Sequence, residues 1–435
     1  MWAHKSIFYQ IYPLGFCGAP KENDGKTVSR IRKVTDWTGY LTALGIDTVL
    51  FNPVFESDRH GYDTRDFTQI DCRLGSNEDF TEVCRDLHQH GIRIVLDGVF
   101  NHVGRGFWAF QDVLNNREGS AYKDWFHIRF GQDNGYHDGL QYEGWEGHYE
   151  LVKLNLNNQK VVQYLFECVH KWIEEFDIDG LRLDVAYCLE RGFMRDLRQY
   201  CEKIKPDFFL VGEMLFGDYT QIVNNYMLHS CTNYECYKGI YSSFNDRNLF
   251  EISYSLNRQF SPDAWAIYKG LHLLCFVDNH DVSRIASILT DKRHLPLAYG
   301  LLFGMPGIPC IYYGSEWGAE GDKQNGDDNL RPCFHSPERN ELTNYIAKLI
   351  NIRKSNIALC YGDYKNIAVT NHQLVFSRSF KDEKILIAIN ADSAHYKPDM
   401  NQELRKATDL LTDTQIELNS GFSLPPYSIA YWKLL

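Results

Sequence analysis

The chain has 435 residues, 44% of them hydrophobic and 23% charged, which is enough for one large domain and a smaller one. Its 45 Lys and Arg against 57 Asp and Glu give a formal net charge of −12, which disfavours a nucleic acid partner. No uninterrupted run of about eighteen apolar residues occurs, so no membrane span is predicted.

The first segment, MWAHKSIFYQIYP, has neither a continuous apolar core nor a small-residue cleavage site, so it does not resemble a secretory signal. Twelve cysteines are scattered along the chain without a Cys-x-x-Cys pair. This pattern is typical of buried thiols in a reducing compartment. We therefore expect a cytoplasmic protein without a disulfide or zinc framework.

Short β-branched or aromatic runs alternate with amphipathic helical stretches up to about residue 350, which is the pattern of repeated βα units and a parallel sheet. Eight strands are predicted, at Ile7–Tyr12, Thr48–Phe51, Ile94–Phe100, Gly180–Val185, Phe208–Gly212, Cys231–Tyr234, His272–Asp278 and Cys310–Tyr313. Eight such units predict a (β/α)₈ barrel of the TIM type, built from residues 1–102 and 156–355.

Two further regions differ from the barrel pattern. More than fifty residues rich in Gly, Trp, Tyr and His follow the third strand, which is too long for an ordinary loop. We expect residues 103–155 to form a small inserted subdomain, subdomain B. Alternating runs such as LVFSRSF and KILIAIN then predict a C-terminal antiparallel β-sandwich over residues 356–435.

Four predicted strands end in polar segments: DGVFNH at 97–102, GLRLDVA at 180–186, VGEM at 211–214 and FVDNHD at 276–281. In a barrel of this kind the carboxyl ends of the strands meet at one mouth, where active sites lie. A single acid there is commonly structural, but acids on four strands of one rim repel one another and indicate a function. Glycoside cleavage explains them, because one carboxylate attacks the anomeric centre while a protonated carboxyl delivers a proton to the leaving group.

These four segments, in this order, resemble the four signature regions of the alpha-amylase superfamily of glycoside hydrolases, and the resemblance extends over nearly the whole chain. The resemblance implies that Asp184 in GLRLDVA is the nucleophile and that Glu213 in VGEM is the general acid/base. Asp281 in FVDNHD matches a third carboxylate, which holds the hydroxyls of the substrate.

The same resemblance assigns further residues to the site. Arg182, on the same strand face as the nucleophile, matches an arginine that keeps the nucleophile ionised. His102 and His280 match two histidines that donate hydrogen bonds to the sugar at the cleavage point; outside these segments each would be interpreted as a core histidine. Asp97 is expected to brace the site from within the barrel.

Three aromatic residues are candidates for contact with sugar rings. Tyr62, in HGYDTRD at 60–66, matches a family tyrosine that stacks on the sugar, and the alternative is a turn tyrosine that covers the barrel mouth. GSEWGAEG at 314–321 resembles the family segment after the eighth strand, and its Trp317 is either a sugar platform or a lid over the barrel. Trp145 in the inserted subdomain has the same two interpretations.

The segment LVKLNLNN at 151–158 resembles in part the MPKLN element of the cyclomaltodextrinase, neopullulanase and maltogenic amylase group. Val185, after the nucleophile, is often present where both α-1,4 and α-1,6 bonds are accepted. Three features depart from this group. The first strand begins near residue 7, which leaves no room for the group's N-terminal β-domain; Tyr187 and Cys188 replace its Asn-Glu pair; and FVDNHD is more amylase-like. We interpret the chain as an intermediate member.

A calcium ion is a separate question. Asn101 matches a residue that ligates Ca²⁺ in many secreted amylases, together with oxygen atoms of the inserted subdomain. Residues 103–154 contain no loop of alternating acids. We therefore expect no required cofactor and no metal ligands, with a Ca²⁺ ion near Asn101 as the alternative.

The predicted function is that of a retaining α-glucoside hydrolase that cleaves α-1,4 bonds, and by hypothesis α-1,6 bonds, of malto-oligosaccharides. A 4-α-glucanotransferase of the same superfamily stays an alternative, since it differs mainly in excluding water from the acceptor side. A non-catalytic barrel that escorts a membrane transporter is disfavoured, because the three acids are present and no anchor is predicted. The expected partner is a small carbohydrate, with neither nucleic acid nor membrane; no oligomeric state is predicted.

Overall fold

The computed structural model describes residues 1–397, 405–418 and 423–435. Its α-helices are α1 (Pro13–Phe16), α2 (Lys33–Leu44), α3 (Asn77–Gln89), α4 (Trp108–Asn116), α5 (Gln159–Phe176), α6 (Arg191–Ile204), α7 (Tyr234–Asn245), α8 (Phe250–Phe260), α9 (Ile285–Ile288), α10 (Leu295–Gly304), α11 (Asp327–Leu330), α12 (Glu341–Ser355) and α13 (Ile357–Tyr361). Its strands are β1 (Phe8–Ile11), β2 (Thr48–Phe51), β3 (Phe55–Ser57), β4 (Thr64–Ile70), β5 (Arg93–Gly98), β6 (His102–Gly104), β7 (Ile128–Phe130), β8 (Leu140–Tyr142), β9 (Gly144–Trp145), β10 (His148–Lys153), β11 (Gly180–Leu183), β12 (Phe209–Gly212), β13 (Ser230–Cys231), β14 (Leu274–Cys275), β15 (Ile308–Tyr312), β16 (Asp363–Val369), β17 (Gln373–Phe380), β18 (Glu383–Asn390), β19 (Arg405–Asp409), β20 (Thr414–Leu418) and β21 (Ser428–Leu434).

Eight parallel strands form a barrel, in the order β13-β12-β11-β5-β2-β1-β15-β14. A further parallel bridge between Thr232 and Leu274 joins the two ends of this order and closes the barrel. The strands are short and almost entirely buried, as a parallel sheet covered by helices requires. The predicted (β/α)₈ barrel is confirmed.

Strand register brings the polar segments to one level of the barrel. Arg182 on β11 pairs with Asp97 on β5. Beyond the strand ends, the N–H of Asp184 donates to Gly98 O at 3.1 Å and the N–H of Glu213 donates to Leu183 O at 2.9 Å. These hydrogen bonds continue the strand pairing by one residue. They fix Asp184 and Glu213 at the same end of the barrel.

The predicted sixth strand, Cys231–Tyr234, was wrong at its end. The observed strand β13 is Ser230–Cys231, and Tyr234 is the first residue of helix α7. The Asn233 side chain accepts a hydrogen bond from the N–H of Cys236, and this N-cap ends the strand and starts the helix.

The predicted seventh strand, His272–Asp278, was too long. It is reduced to β14, Leu274–Cys275. The polar C-terminal part of the predicted strand leaves the strand pairing. This is because Asp278 Oδ2 accepts hydrogen bonds from the N–H of Ile285 and from the Ser315 hydroxyl, both at 2.8 Å.

The segment between β5 and α5 carries small elements of its own. Strands β6, β10 and β9 form a three-stranded antiparallel sheet, and β7 pairs with β8. The boundaries 103–155 of subdomain B stay a prediction, as do those of the other two domains. Within the described ranges, no helix has both the length and the apolar character needed to cross a membrane.

At the C-terminal end, six strands of the described residues form one antiparallel sheet, in the order β16-β17-β18-β21-β19-β20. Phe376, Ile387 and Tyr431 on one face belong to the hydrophobic core of the barrel and its helices. Leu386 and Trp432 on the opposite face belong to a separate apolar cluster. The predicted C-terminal antiparallel β-sandwich is confirmed as an antiparallel domain; its described strands form one six-stranded sheet, and one face of this sheet is part of the barrel core.

Candidate active site

One cavity of about 610 Å³ opens at the carboxyl ends of the barrel strands. It is lined by His60, Tyr62, His102, Trp145, His148, Glu150, Leu151, Asp184, Val185, Tyr187, Glu213, Leu215, Tyr234, Asp281, Val282, Lys323, Asp327 and Arg331. Five of the eight predicted site residues line this cavity, and the other three, Asp97, Arg182 and His280, are buried and bonded to them. The structure thus brings all eight together, while their chemical roles stay predictions.

Arg182 connects three acids of the site. Its Nη1 donates to both carboxylate oxygens of Asp97 at 2.7 Å and lies 3.2 Å from Asp184 Oδ1. Its Nη2 lies 2.9 Å from Glu213 Oε1. A single buried guanidinium therefore holds three carboxyl groups, and its permanent charge favours their ionised forms.

Of the acids that line the cavity, Asp184 and Glu213 contact Arg182 and compete for its charge. Burial raises the pKa of Asp184 well above its ordinary value, and the charge of Glu213 raises it further. Burial also raises the pKa of Glu213, against the opposing effect of Arg182. Because the two buried carboxyl groups repel each other, ionising both at once is disfavoured, which favours a state with one proton on the pair. A nucleophile paired with a proton donor needs this state.

The backbone after Asp184 adopts an unusual conformation. Val185 has φ 40° and ψ 48°, the left-handed region that β-branched residues disfavour. In this conformation its N–H donates to Glu213 Oε2 at 3.0 Å. The backbone strain is thus coupled to the position of the second acid, as is common at functional sites.

His280 is neutral and held in one tautomer. Burial lowers its pKa to about 3. The Nε2 amide of Gln10 lies 2.9 Å from Nδ1, so Nδ1 accepts and Nε2 carries the proton. That Nε2 lies 3.0 Å from Asp281 Oδ2 and also contacts the Tyr62 hydroxyl. The histidine therefore orients an acid and an aromatic ring at one end of the cavity.

Tyr62 completes this network. Its hydroxyl donates to Asp97 Oδ2 at 3.1 Å, and its ring stacks on that of His280 with 5.7 Å between centroids. The Asn52 amide donates to Asp97 and Tyr62 at 3.1 Å each. Asn52 and Gln10 were not predicted as site residues, although each is a polar residue in or just after an apolar barrel strand, which was the available signal.

His102 presents a free donor to the cavity. Burial lowers its pKa to about 3, so the ring is neutral. The Asn101 amide lies 3.1 Å from Nδ1, which leaves the proton on Nε2. Nε2 is buried, has no hydrogen-bond partner among the described residues and lies 4.0 Å from Asp184 Oδ2. A ligand hydroxyl beside Asp184 would satisfy it.

Asp281 is held in its ionised form. Arg331 Nη2 lies 3.0 Å from Asp281 Oδ1, and Arg331 Nε donates to His280 O at 3.1 Å. Although burial opposes it, His280 and Arg331 lower the pKa of Asp281. Sequence analysis missed Arg331, since it follows the short helix α11 rather than a barrel strand.

The two candidate tryptophans differ in position. Trp145 lines the cavity, and its ring centroid lies 6.0 Å from that of His102. Trp317 is 7% exposed, packs against Trp37 and Phe334, and borders a separate cavity of about 460 Å³. Trp145 therefore stays a candidate for sugar contact, and Trp317 is a core residue.

Asn101 lies beside the cavity residue His102. Its backbone carbonyl accepts a hydrogen bond from the N–H of Leu154 at 2.9 Å, and its side-chain amide faces His102 Nδ1. Calcium takes six to eight oxygen ligands, which include backbone and amide carbonyls. Among the His, Cys, Asp and Glu side chains of the described residues, Glu56, Asp71 and Cys72 lie close enough together to hold a metal ion. The expectation of no required cofactor and the alternative of a Ca²⁺ ion near Asn101 both stay predictions.

A closed (β/α)₈ barrel with three acids and a buried arginine around one cavity defines the class of barrel glycoside hydrolases. The catalytic-domain model of the alpha-amylase family matches residues 10–356. The chain is also similar to the cyclomaltodextrinase of Geobacillus thermopakistaniensis, with 31% identity over 100% of this chain and 77% of that protein. The chain belongs to the alpha-amylase family of glycoside hydrolases.

Further similarities agree with this assignment. The intracellular maltogenic amylase of Bacillus subtilis is 30% identical over 89% of this chain and 68% of that protein. Among solved structures, the cyclic α-maltosyl-(1→6)-maltose hydrolase of Arthrobacter globiformis, in complex with that saccharide, has a TM-score of 0.85 and 26% identity, covering 99% of both chains.

Proposed function

We propose that the protein is a retaining α-glucoside hydrolase that cleaves α-1,4 bonds of malto-oligosaccharides. The observation that carries this proposal is the attachment of Asp184 and Glu213 to the two terminal nitrogens of one guanidinium, Arg182. This keeps the two carboxyl groups close together. Retaining enzymes separate them by roughly 5–5.5 Å, whereas inverting enzymes need roughly 6.5–9.5 Å to admit a water between them.

In the proposed reaction, Asp184 attacks the anomeric carbon while Glu213 gives its proton to the glycosidic oxygen. The leaving sugar departs, and Glu213 then takes a proton from the water that releases the glycosyl group from Asp184. Arg182 opposes the effects of burial and of Glu213 on Asp184 and so favours the ionised form that attacks.

The remaining residues bind the sugar at the cleavage point. His102 Nε2 is free to donate to a hydroxyl beside Asp184. Asp281, ionised by Arg331 and oriented by His280, accepts from neighbouring hydroxyls. Asp97 holds Arg182 and the Tyr62 hydroxyl from below, so that the Tyr62 ring can stack on the sugar.

The substrate class rests on the relatives. Those with 30% identity or slightly more are named as cyclomaltodextrinase, maltogenic amylase and neopullulanase. We extend to this chain their action on short α-glucans, including α-1,6 bonds, for which Val185 was the sequence indication. Comparing hydrolysis of maltotriose and panose tests the second bond type, and complete inertness toward the α-1,6 bond of panose rejects it.

The stereochemistry of the product tests the mechanism directly. Proton NMR during hydrolysis of maltotriose should show the α-anomer of the released reducing sugar first, with the β-anomer growing later by mutarotation. Initial release of the β-anomer would mean that water attacks the substrate itself, and the assignment of Asp184 as nucleophile would be wrong.

We also propose a reducing, cytoplasmic compartment. The support is that all twelve cysteines are free thiols and most are buried. Full activity in millimolar dithiothreitol agrees with this proposal, and loss of activity on reduction contradicts it.

A further inference from the structure

The cavity wall combines charged and apolar groups. Asp281 and Arg331 form an ion pair in it. Tyr187, Leu215 and Trp145 add aromatic and apolar side chains. Groups of different chemistry can contact two sugars of one substrate in different ways.

Tyr187 and Leu215 lie near the proposed proton donor. Leu215 closely follows Glu213 in the chain, and Tyr187 lies near enough to Glu213 to interact with its charge. In the proposed reaction Glu213 protonates the oxygen of the leaving group, so the leaving sugar lies on this side.

The strained turn after the nucleophile directs Tyr187 into the cavity wall. The left-handed Val185 is followed by a 3₁₀ turn over Ala186–Cys188. The N–H of Cys188 donates to Val185 O at 2.7 Å and closes this turn. Tyr187 is therefore carried on the same short segment that positions Asp184 and, through the Val185 N–H, Glu213.

Two contacts hold the Tyr187 side chain. Its hydroxyl donates to Glu146 Oε1 of the inserted segment at 3.4 Å. Its ring lies 5.6 Å from that of Phe216, with 43° between the planes. Phe216 is 69% exposed and is not part of the cavity wall, so it supports Tyr187 from outside. The Tyr187 side chain is thus held between two loops where it lines the cavity.

We propose that Tyr187 determines specificity by stacking against the first glucose of the leaving group. A pyranose presents C–H groups on its faces, and an aromatic ring held in a cavity wall offers a matching surface. The Glu146 contact keeps the ring in this orientation before the substrate binds, which lowers the entropic cost of binding. This inference rests on the proposed function, because it uses Glu213 as the proton donor to define the leaving side.

Two substrates that differ in their leaving groups distinguish contact of Tyr187 with the leaving sugar from a general effect on the enzyme. Maltotriose leaves a sugar on the Tyr187 side, whereas α-maltosyl fluoride leaves a single fluoride ion. Tyr187→Ala should lower kcat/KM about tenfold for maltotriose and less than about twofold for α-maltosyl fluoride. Tyr187→Phe keeps the ring and loses the hydroxyl, so its loss with maltotriose should stay below about threefold.

A matched control is Tyr254→Ala, which truncates an exposed tyrosine on helix α8 and should leave both substrates unchanged. An equal loss of kcat/KM for the two substrates in Tyr187→Ala would show a general structural effect and overturn the proposal. Unchanged hydrolysis of maltotriose would overturn it as well. Failure of the proposed function is distinct from both, since the wild-type enzyme would then hydrolyse neither compound.

Discussion

Arg182 is the residue on which the electrostatics of the site depend. It is buried, and it contacts Asp97, Asp184 and Glu213 at once. Removing it would leave three buried carboxyl groups without a counter-charge, so they would take up protons rather than stay ionised. The charge state of the nucleophile and that of the proton donor are therefore coupled through Arg182.

The role of Glu213 can be tested at this scale. Glu213→Gln should lower kcat for maltotriose by about 10²–10⁴-fold, because the amide has no proton to give to the glycosidic oxygen. Hydrolysis of α-maltosyl fluoride should suffer less in the first step, since fluoride departs without protonation. Glu174→Gln, an exposed change on helix α5, is the control. Unchanged turnover of maltotriose by Glu213→Gln would refute the acid assignment.

Glu316 is a buried acid outside the cavity. It accepts hydrogen bonds from the hydroxyls of Tyr9 at 2.7 Å and Tyr40 at 3.0 Å. Burial raises its pKa from 4.5 to about 7. A folded-state pKa above the unfolded one means that the folded protein binds more protons. The wild type therefore loses up to about 3 kcal/mol of stability as the pH rises through this window.

Glu316→Gln should remove that pH-dependent loss. Thermal unfolding of variant and wild type at about pH 5 and pH 8 measures it, and the variant should gain Tm relative to the wild type at the higher pH. The same difference in Tm at both pH values would show that Glu316 does not titrate in this range.

Site residues could be predicted from sequence where they follow a strand. Asp184 and Glu213 stand at the ends of β11 and β12, so the barrel rule and the family resemblance both pointed to them. Gln10 was missed because one polar residue in an apolar strand has many explanations. Arg331 was missed because its distance to Asp281 is set by the folding of a loop, which no local pattern records.

At the scale of elements, sequence patterns located the barrel strands more reliably than their ends. Thr48–Phe51 was predicted with its observed bounds, since a buried apolar run stops where polar residues begin. The sixth and seventh strands were predicted too long, because a cap at Asn233 and hydrogen bonds to Asp278 redirect the chain. Such tertiary and capping effects override strand propensity.

Helix α2 provides a test at this scale. It ends at Gly45, whose φ of 95° and N–H bonds to Leu41 O and Thr42 O form a left-handed cap. A Cβ at this position would lie 2.7 Å from Ile350 Cγ2. Gly45→Ala should therefore lower the free energy of unfolding by about 1–3 kcal/mol.

The matched control for this change lies in the same helix. A methyl group added at Gly39 would meet open space on an ordinary helical backbone, so Gly39→Ala should stabilise the protein by up to about 1 kcal/mol. Urea unfolding measures both, and kcat should be unchanged in each. Shifts of the two variants in the same direction would contradict the interpretation of Gly45 as a cap.

At the scale of the whole molecule, we expect no dependence on calcium. Residues 103–154 contain no loop of alternating acids, and the Asn101 side-chain amide faces His102, so we expect a chelator to find no structural ion to remove. Exhaustive dialysis against EDTA should leave kcat and Tm unchanged, and added Ca²⁺ should not raise them. A fall in Tm on chelation that calcium reverses would contradict this expectation.

The C-terminal sheet is joined to the barrel through helix α10. Arg378 from β17 donates to Gly304 O at 2.8 Å, the Tyr431 hydroxyl from β21 donates to Gly300 O, and the facing side chains share the barrel core. We therefore expect the barrel and the C-terminal sheet to unfold together in a single thermal transition. An enzyme truncated before β16 would expose the apolar surface that the C-terminal sheet covers, and it would aggregate. A shortened form of this hydrolase therefore has to keep its last strands.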